Sequence, residues 1–205
     1  MPRHYFTFDE HVRDAVRRHV QRAIAGLNPR SFRQEPAYTS ALAGRLVGIA
    51  YNGRDGRVEF ESTVVADRGA NSAEREFGAD MAFTAKIAKG RKVIEKAILV
   101  QAKLGKIEDL SPTDLAKLKG QIKDMLAVTR AAKVMEIPEV DGRRVPRLIS
   151  GEGIVDDRNY HSYELGNYIV DRILTTLDGD TRPRFVDAVR DSNLTQLRVV
   201  AEQYD

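Results

Sequence analysis

The 205-residue sequence contains no cysteine, which excludes a disulfide or a thiolate zinc site and fits a reducing cytoplasm. No apolar run approaches the roughly 20 residues that span a bilayer, so we expect no membrane association. The N-terminal stretch turns charged before any apolar h-region appears, which argues against a secretory signal. These absences predict a soluble, cytoplasmic protein.

Several catalytic motifs are also missing. The sequence has no nucleophile elbow of the serine hydrolases, no HExxH zinc motif, and no glycine-rich loop with the spacing of a P-loop. His11 and His19 lie two turns apart on one predicted helix, too far for one metal ion. Serine hydrolase, zinc peptidase and P-loop chemistry are therefore disfavoured.

The positive charge of the chain is concentrated in one segment. The net charge is only +3, but residues 86–133 hold twelve Lys or Arg against five acidic residues. A local basic surface is typical of phosphate binding, and a solvated lysine-rich helix explains it equally well. The residues that we expect to contact nucleic acid are Lys86, Lys89, Arg91, Lys92, Lys106 and Lys117.

Hydrophobic periodicity predicts a mixture of helices and strands. We expect a helix over 9–27 with a Thr7–Glu10 capping box, a hairpin of 42–51 and 58–65, strands over 80–87 and 93–104, a helix starting at Pro112 with Ser111 as its cap, a short strand ending at Pro138, and helices over 163–177 and 184–203. The fold class is therefore α/β or α+β, with a mixed central β-sheet flanked by helices and a C-terminal helical part over about 160–205. The length suits a single domain over residues 1–205.

One constellation at the centre of the sequence carries chemistry. Gln101 and Lys103 are two apart on a predicted strand and so share a face, and Asp80 opens the preceding strand. With Asp80 as the central ligand, the Gln101 amide oxygen and Glu76 would complete an oxygen-rich Mg²⁺ site. The Lys103 ammonium would then stabilise charge on a phosphate.

These residues carry a resemblance. The stretches "EREFGAD" and "KAILVQAK" resemble the PD-(D/E)xK, or restriction endonuclease-like, superfamily, in the variant in which glutamine replaces the second acid. The match covers about residues 60–140 and places Asp80, Gln101 and Lys103 on the motif, with Glu76 as an upstream acid. The resemblance implies a restriction endonuclease-like core and hydrolysis of phosphodiester bonds, with Mg²⁺ as cofactor and Mn²⁺ as a substitute. The glutamine removes one negative charge and should weaken metal binding.

The resemblance also implies partners and a role. The expected substrate is nucleic acid, DNA ahead of RNA, in restriction or antiviral defence, and cutting both strands of a duplex would suit a homodimer. The alternative is a catalytically inactive nucleic-acid-binding or protein-interaction module with the same fold. A second acidic cluster, formed by Glu152, Asp156 and Asp157 near His161, is interpreted as a polar loop that caps the following helix, and a metal or catalytic site there is the other reading.

Overall fold

One mixed β-sheet runs through the protein. The computed structural model describes residues 6–63, 77–138, 145–158 and 161–204. The strands are β1 (Gly48–Gly53), β2 (Gly56–Thr63), β3 (Met81–Lys89), β4 (Lys92–Leu104), β5 (Ala132–Ile137), β6 (Arg147–Ser150), β7 (Ser162–Glu164) and β8 (Thr195–Gln203). Their order across the sheet is β1-β2-β8-β3-β4-β5-β6-β7. The β8/β3 and β4/β5 pairs are parallel, and the other neighbours are antiparallel.

Helices cover both faces of this sheet. They are α1 (Glu10–Ala25), α2 (Glu35–Leu46), α3 (Pro112–Val128), α4 (Gly151–Val155), α5 (Leu165–Tyr168) and α6 (Pro183–Arg190), and α5 continues as a π-helix over Ile169–Ile173. None of the helices in the described ranges has an apolar stretch long enough to cross a membrane. The predicted fold class, a mixed sheet flanked by helices, is confirmed.

Alternation along the strands separates two apolar cores. On face one, Phe83 and Val100 pack with helices α1, α2 and α5, whereas on face two Leu99 packs with α3, α4 and α6. Successive side chains of a strand point to opposite faces, so a central strand that is covered on both sides must be apolar at nearly every position. The run Ala97–Val100 in β4 is fully buried for this reason.

Several predicted elements are confirmed. Helix α1 buries the predicted valine stripe, and β3 and β4 form a hairpin with the expected bounds. Helix α3 begins at Pro112, and the Ser111 hydroxyl accepts the Asp114 backbone N–H at 3.1 Å. The predicted short strand is β5, which ends at Ile137.

The predicted strand over 42–51 is wrong in its first half. Residues up to Leu46 belong to helix α2, where Tyr38, Leu42 and Leu46 are buried at helical spacing and Pro36 occupies the first turn. A run of apolar residues satisfies the strand pattern and the pattern of a buried helix equally well. The capping box is also wrong, because α1 starts at Glu10 with Asp9, not Thr7, at the N-cap position.

The predicted C-terminal helix over 184–203 is wrong in its second half. Helix α6 ends at Arg190, and residues 195–203 form β8. This strand lies between β2 and β3 near the centre of the sheet and buries Leu197, Val199 and Ala201 on face one. The predicted helix over 163–177 begins as strand β7 and continues as α5 and the π-helix.

Candidate functional site

The candidate site lies at the end of the sheet where β3 begins and β4 approaches its end. The β3–β4 ladder closes at the Met81–Val100 pair, and the Asp80 backbone N–H bonds the Val100 carbonyl at 3.0 Å. The Asp80 carboxylate then accepts the Ala102 backbone N–H at 2.8 Å. The side chain of Asp80 thus extends the ladder beyond the last paired residue of β3 and satisfies a strand N–H.

Gln101 meets the same carboxylate. Its Nε2 donates to Asp80 Oδ2 at 2.5 Å, and the side chain is 1% exposed. Its Oε1 is buried and has no hydrogen-bond partner. A buried acceptor without a partner carries a desolvation cost of about 1–3 kcal/mol. The Gln101 amide nitrogen is therefore hydrogen-bonded to Asp80, whereas the amide oxygen has no hydrogen-bond partner among the described residues.

A glycine fixes the approach of the chain to Asp80. Gly78 has φ +66°, in the left-handed region, and an added Cβ would lie 2.8 Å from the Gln121 backbone carbonyl of α3. Neither the backbone angle nor the space suits a larger residue. The glycine therefore lets the chain turn closely past α3 into β3, and this explains its place in the "GAD" stretch.

Lys103 is held by an acid that the sequence analysis did not select. Its Nζ lies 3.6 Å from Glu35 Oε1 at the start of helix α2, and the two side chains are 17% and 29% exposed. Glu35 lies in the segment 34–36, which showed no motif, and only the packing of α2 onto the sheet brings it to the site. Two polar pairs, Asp80–Gln101 and Lys103–Glu35, thus lie toward this end of β4.

The donor set suits Mg²⁺ by chemical type. Mg²⁺ prefers oxygen ligands, and Asp80 supplies a carboxylate while Gln101 has an unused amide oxygen. As the amide is oriented, its nitrogen faces Asp80. A half-turn of the amide would bring Oε1 to the carboxylate, and two oxygens at the present separation repel unless a cation lies between them. Asp80 and Gln101 are thus the residues that could hold the metal.

The other predicted site residues lie apart from this pair or outside the described ranges. Glu76 falls outside the described residues. Lys86, Lys89, Arg91 and Lys92 lie toward the far tip of the β3–β4 hairpin, about 20–30 Å from Asp80 at the usual rise per strand residue. Lys106 follows β4 at the site end of the sheet, and Lys117 is exposed on α3. The predicted basic surface is therefore divided between the two ends of the hairpin.

The acidic cluster near α4 is partly neutralised by ion pairs. Asp157 contacts Lys119 at 2.6 Å, and Asp156 contacts Arg158 at 3.2 Å. Among the described residues, the group of three acids or histidines that could share a metal ion is instead Asp9, His11 and Asp55, whose ligand atoms lie within 4.8 Å of one another.

This Asp9–His11–Asp55 group joins the start of α1 to the β1–β2 turn. His11 Nε2 is 2.9 Å from Asp55 Oδ2 and 3.0 Å from the Tyr51 hydroxyl. The Tyr51 hydroxyl also donates to Asp55 and lowers the pKa of that carboxyl. The contacts among His11, Tyr51 and Asp55 link the helix to the hairpin.

Comparison with known proteins gives no relative. The sequence matches no protein-family model and no curated protein, and the fold matches no solved structure.

Proposed function

We propose that the protein is a Mg²⁺-dependent nuclease that hydrolyses phosphodiester bonds, with DNA as its first substrate, and that its core is restriction endonuclease-like. The observation that carries the proposal is the contact between Asp80 and Gln101, with Lys103 two residues further along β4. The motif that suggested the function from sequence thus has its first two members in direct contact.

Each residue has a distinct role in this proposal. Asp80 and Gln101 would hold Mg²⁺, which supplies a Lewis acid beside the scissile phosphate. Lys103 would stabilise the negative charge that develops on the phosphate during attack by water. Glu35 would hold the Lys103 ammonium in position through their 3.6 Å contact. Glu76 stays a predicted second carboxylate.

The substrate class follows from charge and resemblance together. The basic segment 86–133 supplies cations for a polyanion at the site end of β4 and at the far tip of the hairpin. A role in restriction or antiviral defence rests on the resemblance alone. Mn²⁺ would replace Mg²⁺, because both take oxygen ligands.

The test is a cleavage assay with matched variants. Plasmid, single-stranded DNA and RNA are incubated with the protein in Mg²⁺, Mn²⁺ or EDTA. We expect cleavage that EDTA abolishes, complete loss in Asp80→Asn, and a loss of about a hundredfold, or ~2.7 kcal/mol, in Lys103→Met. The controls Asp109→Asn and Lys123→Met change exposed residues of the same types and should cleave normally. Full activity in both site variants would refute the assignment.

A second candidate function is a binding module without catalysis. It is favoured by the Gln101 amide, which donates to Asp80, and by the Lys103–Glu35 contact, since these give Asp80 and Lys103 partners without a metal ion. This module would bind nucleic acid in a salt-dependent way and cleave none of the substrates with any metal. Binding and cleavage measured on the same sample separate the two functions.

A further inference from the structure

A second polar site lies beside strands β5 and β6, away from Asp80. A cleft of about 310 Å³ is bounded by β5, β6, helix α4 and the π-helix. This volume is at the lower end of the range of small-molecule sites. The residues that line it include the cations Lys133, Arg158 and Arg172, the acids Glu152, Asp156 and Asp178, and the rings of Tyr163 and Tyr168.

Most charges around the cleft are already paired. Lys133 Nζ lies 2.9 Å from Asp178 Oδ2, and the Tyr168 hydroxyl donates to the same oxygen at 3.1 Å. The Gly179 backbone N–H donates to the other carboxylate oxygen at 2.9 Å. The Asp178 carboxylate therefore has three donors and little capacity to neutralise a further cation.

Arg172 is the cation that lacks a counter-charge. In the described part of the chain its guanidinium makes no hydrogen bond or ion pair, and its Nε is buried without a partner. The guanidinium lies over the Tyr163 ring at 5.6 Å from the ring centroid. The Lys96 Nζ approaches the backbone carbonyl of Arg172 at 3.4 Å. Within the described ranges Arg172 is therefore left without an ion pair, whereas Asp178 and Asp156, two of the three acids that line the cleft, already pair with Lys133 and Arg158.

The backbone around Arg172 is also unusual. The residue belongs to the π-helix Ile169–Ile173, and Thr176 just beyond it has φ +60°. π-Helical turns are rare and are frequently found at functional sites, and a left-handed threonine carries strain. The local backbone therefore departs from a regular helix at the residue that lacks a counter-charge.

We propose that this cleft binds a small ligand through an oxyanion group, a phosphate or a carboxylate, that pairs with Arg172. The planar guanidinium fork matches the oxygens of either group in a bidentate contact, which a lysine does not reproduce. The Tyr163 and Tyr168 rings supply apolar wall, and the Ser150 hydroxyl supplies a further hydrogen-bonding group. The proposal does not depend on nuclease activity.

The experiment is an NMR titration of backbone amides with three probes, inorganic phosphate, AMP and citrate, in the millimolar range. We expect saturable shifts around the π-helix and β5 with at least one probe. Arg172→Gln should abolish them, and Arg172→Lys should weaken binding by roughly tenfold or more, because it keeps the charge and loses the fork. The control Arg198→Gln changes an arginine of β8 that pairs with Glu61 at 3.5 Å, and it should bind like the parent.

The pattern of outcomes decides the proposal. Shifts with phosphate and AMP alone identify a phosphate group, and shifts with citrate alone identify a carboxylate. The proposal is overturned if no probe saturates, if the shifts map to the β3–β4 hairpin instead, or if Arg172→Lys binds as tightly as the parent. The last comparison decides the matter even if Arg172→Gln does not fold. Asp80→Asn should bind the probes normally, which keeps this result separate from the nuclease proposal.

Discussion

Replacement of Gln101 by glutamate tests the candidate site most directly. The change removes the amide that donates to Asp80 Oδ2 at 2.5 Å and puts a second carboxylate of nearly the same shape in its place. The position is 1% exposed, so water cannot screen the new charge effectively. The variant should therefore be sensitive to both protons and cations.

Electrostatic repulsion between the two carboxylates sets the size of the change in stability. Two unit charges about 4 Å apart interact by about 4 kcal/mol at an effective dielectric constant of about 20, which corresponds to about 3 pKa units. One carboxyl of the pair should therefore have a raised pKa, near neutrality. A carboxyl whose pKa is raised on folding stabilises the protein at low pH, and that stability is lost as the pH rises through the folded-state value. In EDTA the variant should be clearly less stable than the parent at mildly alkaline pH and recover in acid.

If Asp80 and residue 101 form a metal site, metal binding should restore the stability that Gln101→Glu loses at alkaline pH. Thermal melts of the parent and Gln101→Glu in EDTA, Mg²⁺ and Mn²⁺ measure it, because a ligand that binds only the folded state raises Tm. We expect a larger metal-dependent rise for the variant than for the parent. Gln196→Glu is the matched control: Gln196 is also buried, but its amide donates to the backbone carbonyls of Val189 and Arg190 at 3.0 Å. It should lose stability without rescue by Mg²⁺.

A single result would refute this reasoning. If Gln101→Glu melts like the parent in EDTA at alkaline pH and responds to neither metal, the two side chains do not share a site. If the variant binds metal and gains cleavage while the parent does neither, the protein is a silenced nuclease, and the binding-module function is preferred.

Three further predictions concern the rest of the molecule. Burial lowers the pKa of Lys96 to about 7. Because the unfolded chain then binds this proton more tightly than the folded protein, the free energy of unfolding should rise by about 2 kcal/mol between about pH 7 and 9. Denaturant titrations should show this rise in the parent and not in Lys96→Met. Gly179→Ala should cost about 1–3 kcal/mol, since φ is +111° and the new Cβ would lie 2.7 Å from Lys96 Cδ, whereas Gly120→Ala in α3, with open space around it, should gain up to ~1 kcal/mol. For nucleic-acid binding, Lys86→Ala and Lys106→Ala should each reduce the slope of log affinity against log salt by about 0.7–0.9 if that lysine contacts a phosphate, and an unchanged slope removes it from the interface.

Local sequence patterns were sufficient to predict the β3–β4 hairpin and helix α3. The hairpin sequence alternates cleanly in β3, a short turn joins the strands, and their ladder is regular from Met81–Val100 to Lys89–Lys92. Ser111 and Pro112 mark the start of α3 by local cap chemistry, which does not depend on the rest of the fold. Asp80 and Gln101 could be paired in advance because both belong to this hairpin.

The C-terminal strand shows where local signals fail. Residues 184–203 have apolar residues at spacings that suit a helix, yet only the first part is helical. The remainder pairs with β2 on one side and β3 on the other over its full length. Those pairings join residues more than a hundred positions apart, so no pattern within the segment reveals them. Tertiary pairing here outweighs local helix preference.

Glu35 could not have been found by the same route, and the reason lies in how the site is assembled. Strand β8 runs parallel to β3 and places Thr195 beside Met81, and the Ser40 hydroxyl of α2 lies 3.3 Å from the Thr195 hydroxyl. Helix α2 is thereby held against the end of the sheet where β3 and β8 begin, with Glu35 at its first turn and within reach of Lys103. The position of the acid thus depends on the strand that the sequence misassigned as helix. A change that weakens the attachment of α2, such as Tyr38→Ala at a fully buried position, should therefore disturb Lys103 as well as stability. The Asp80–Gln101 contact lies within the hairpin and should persist.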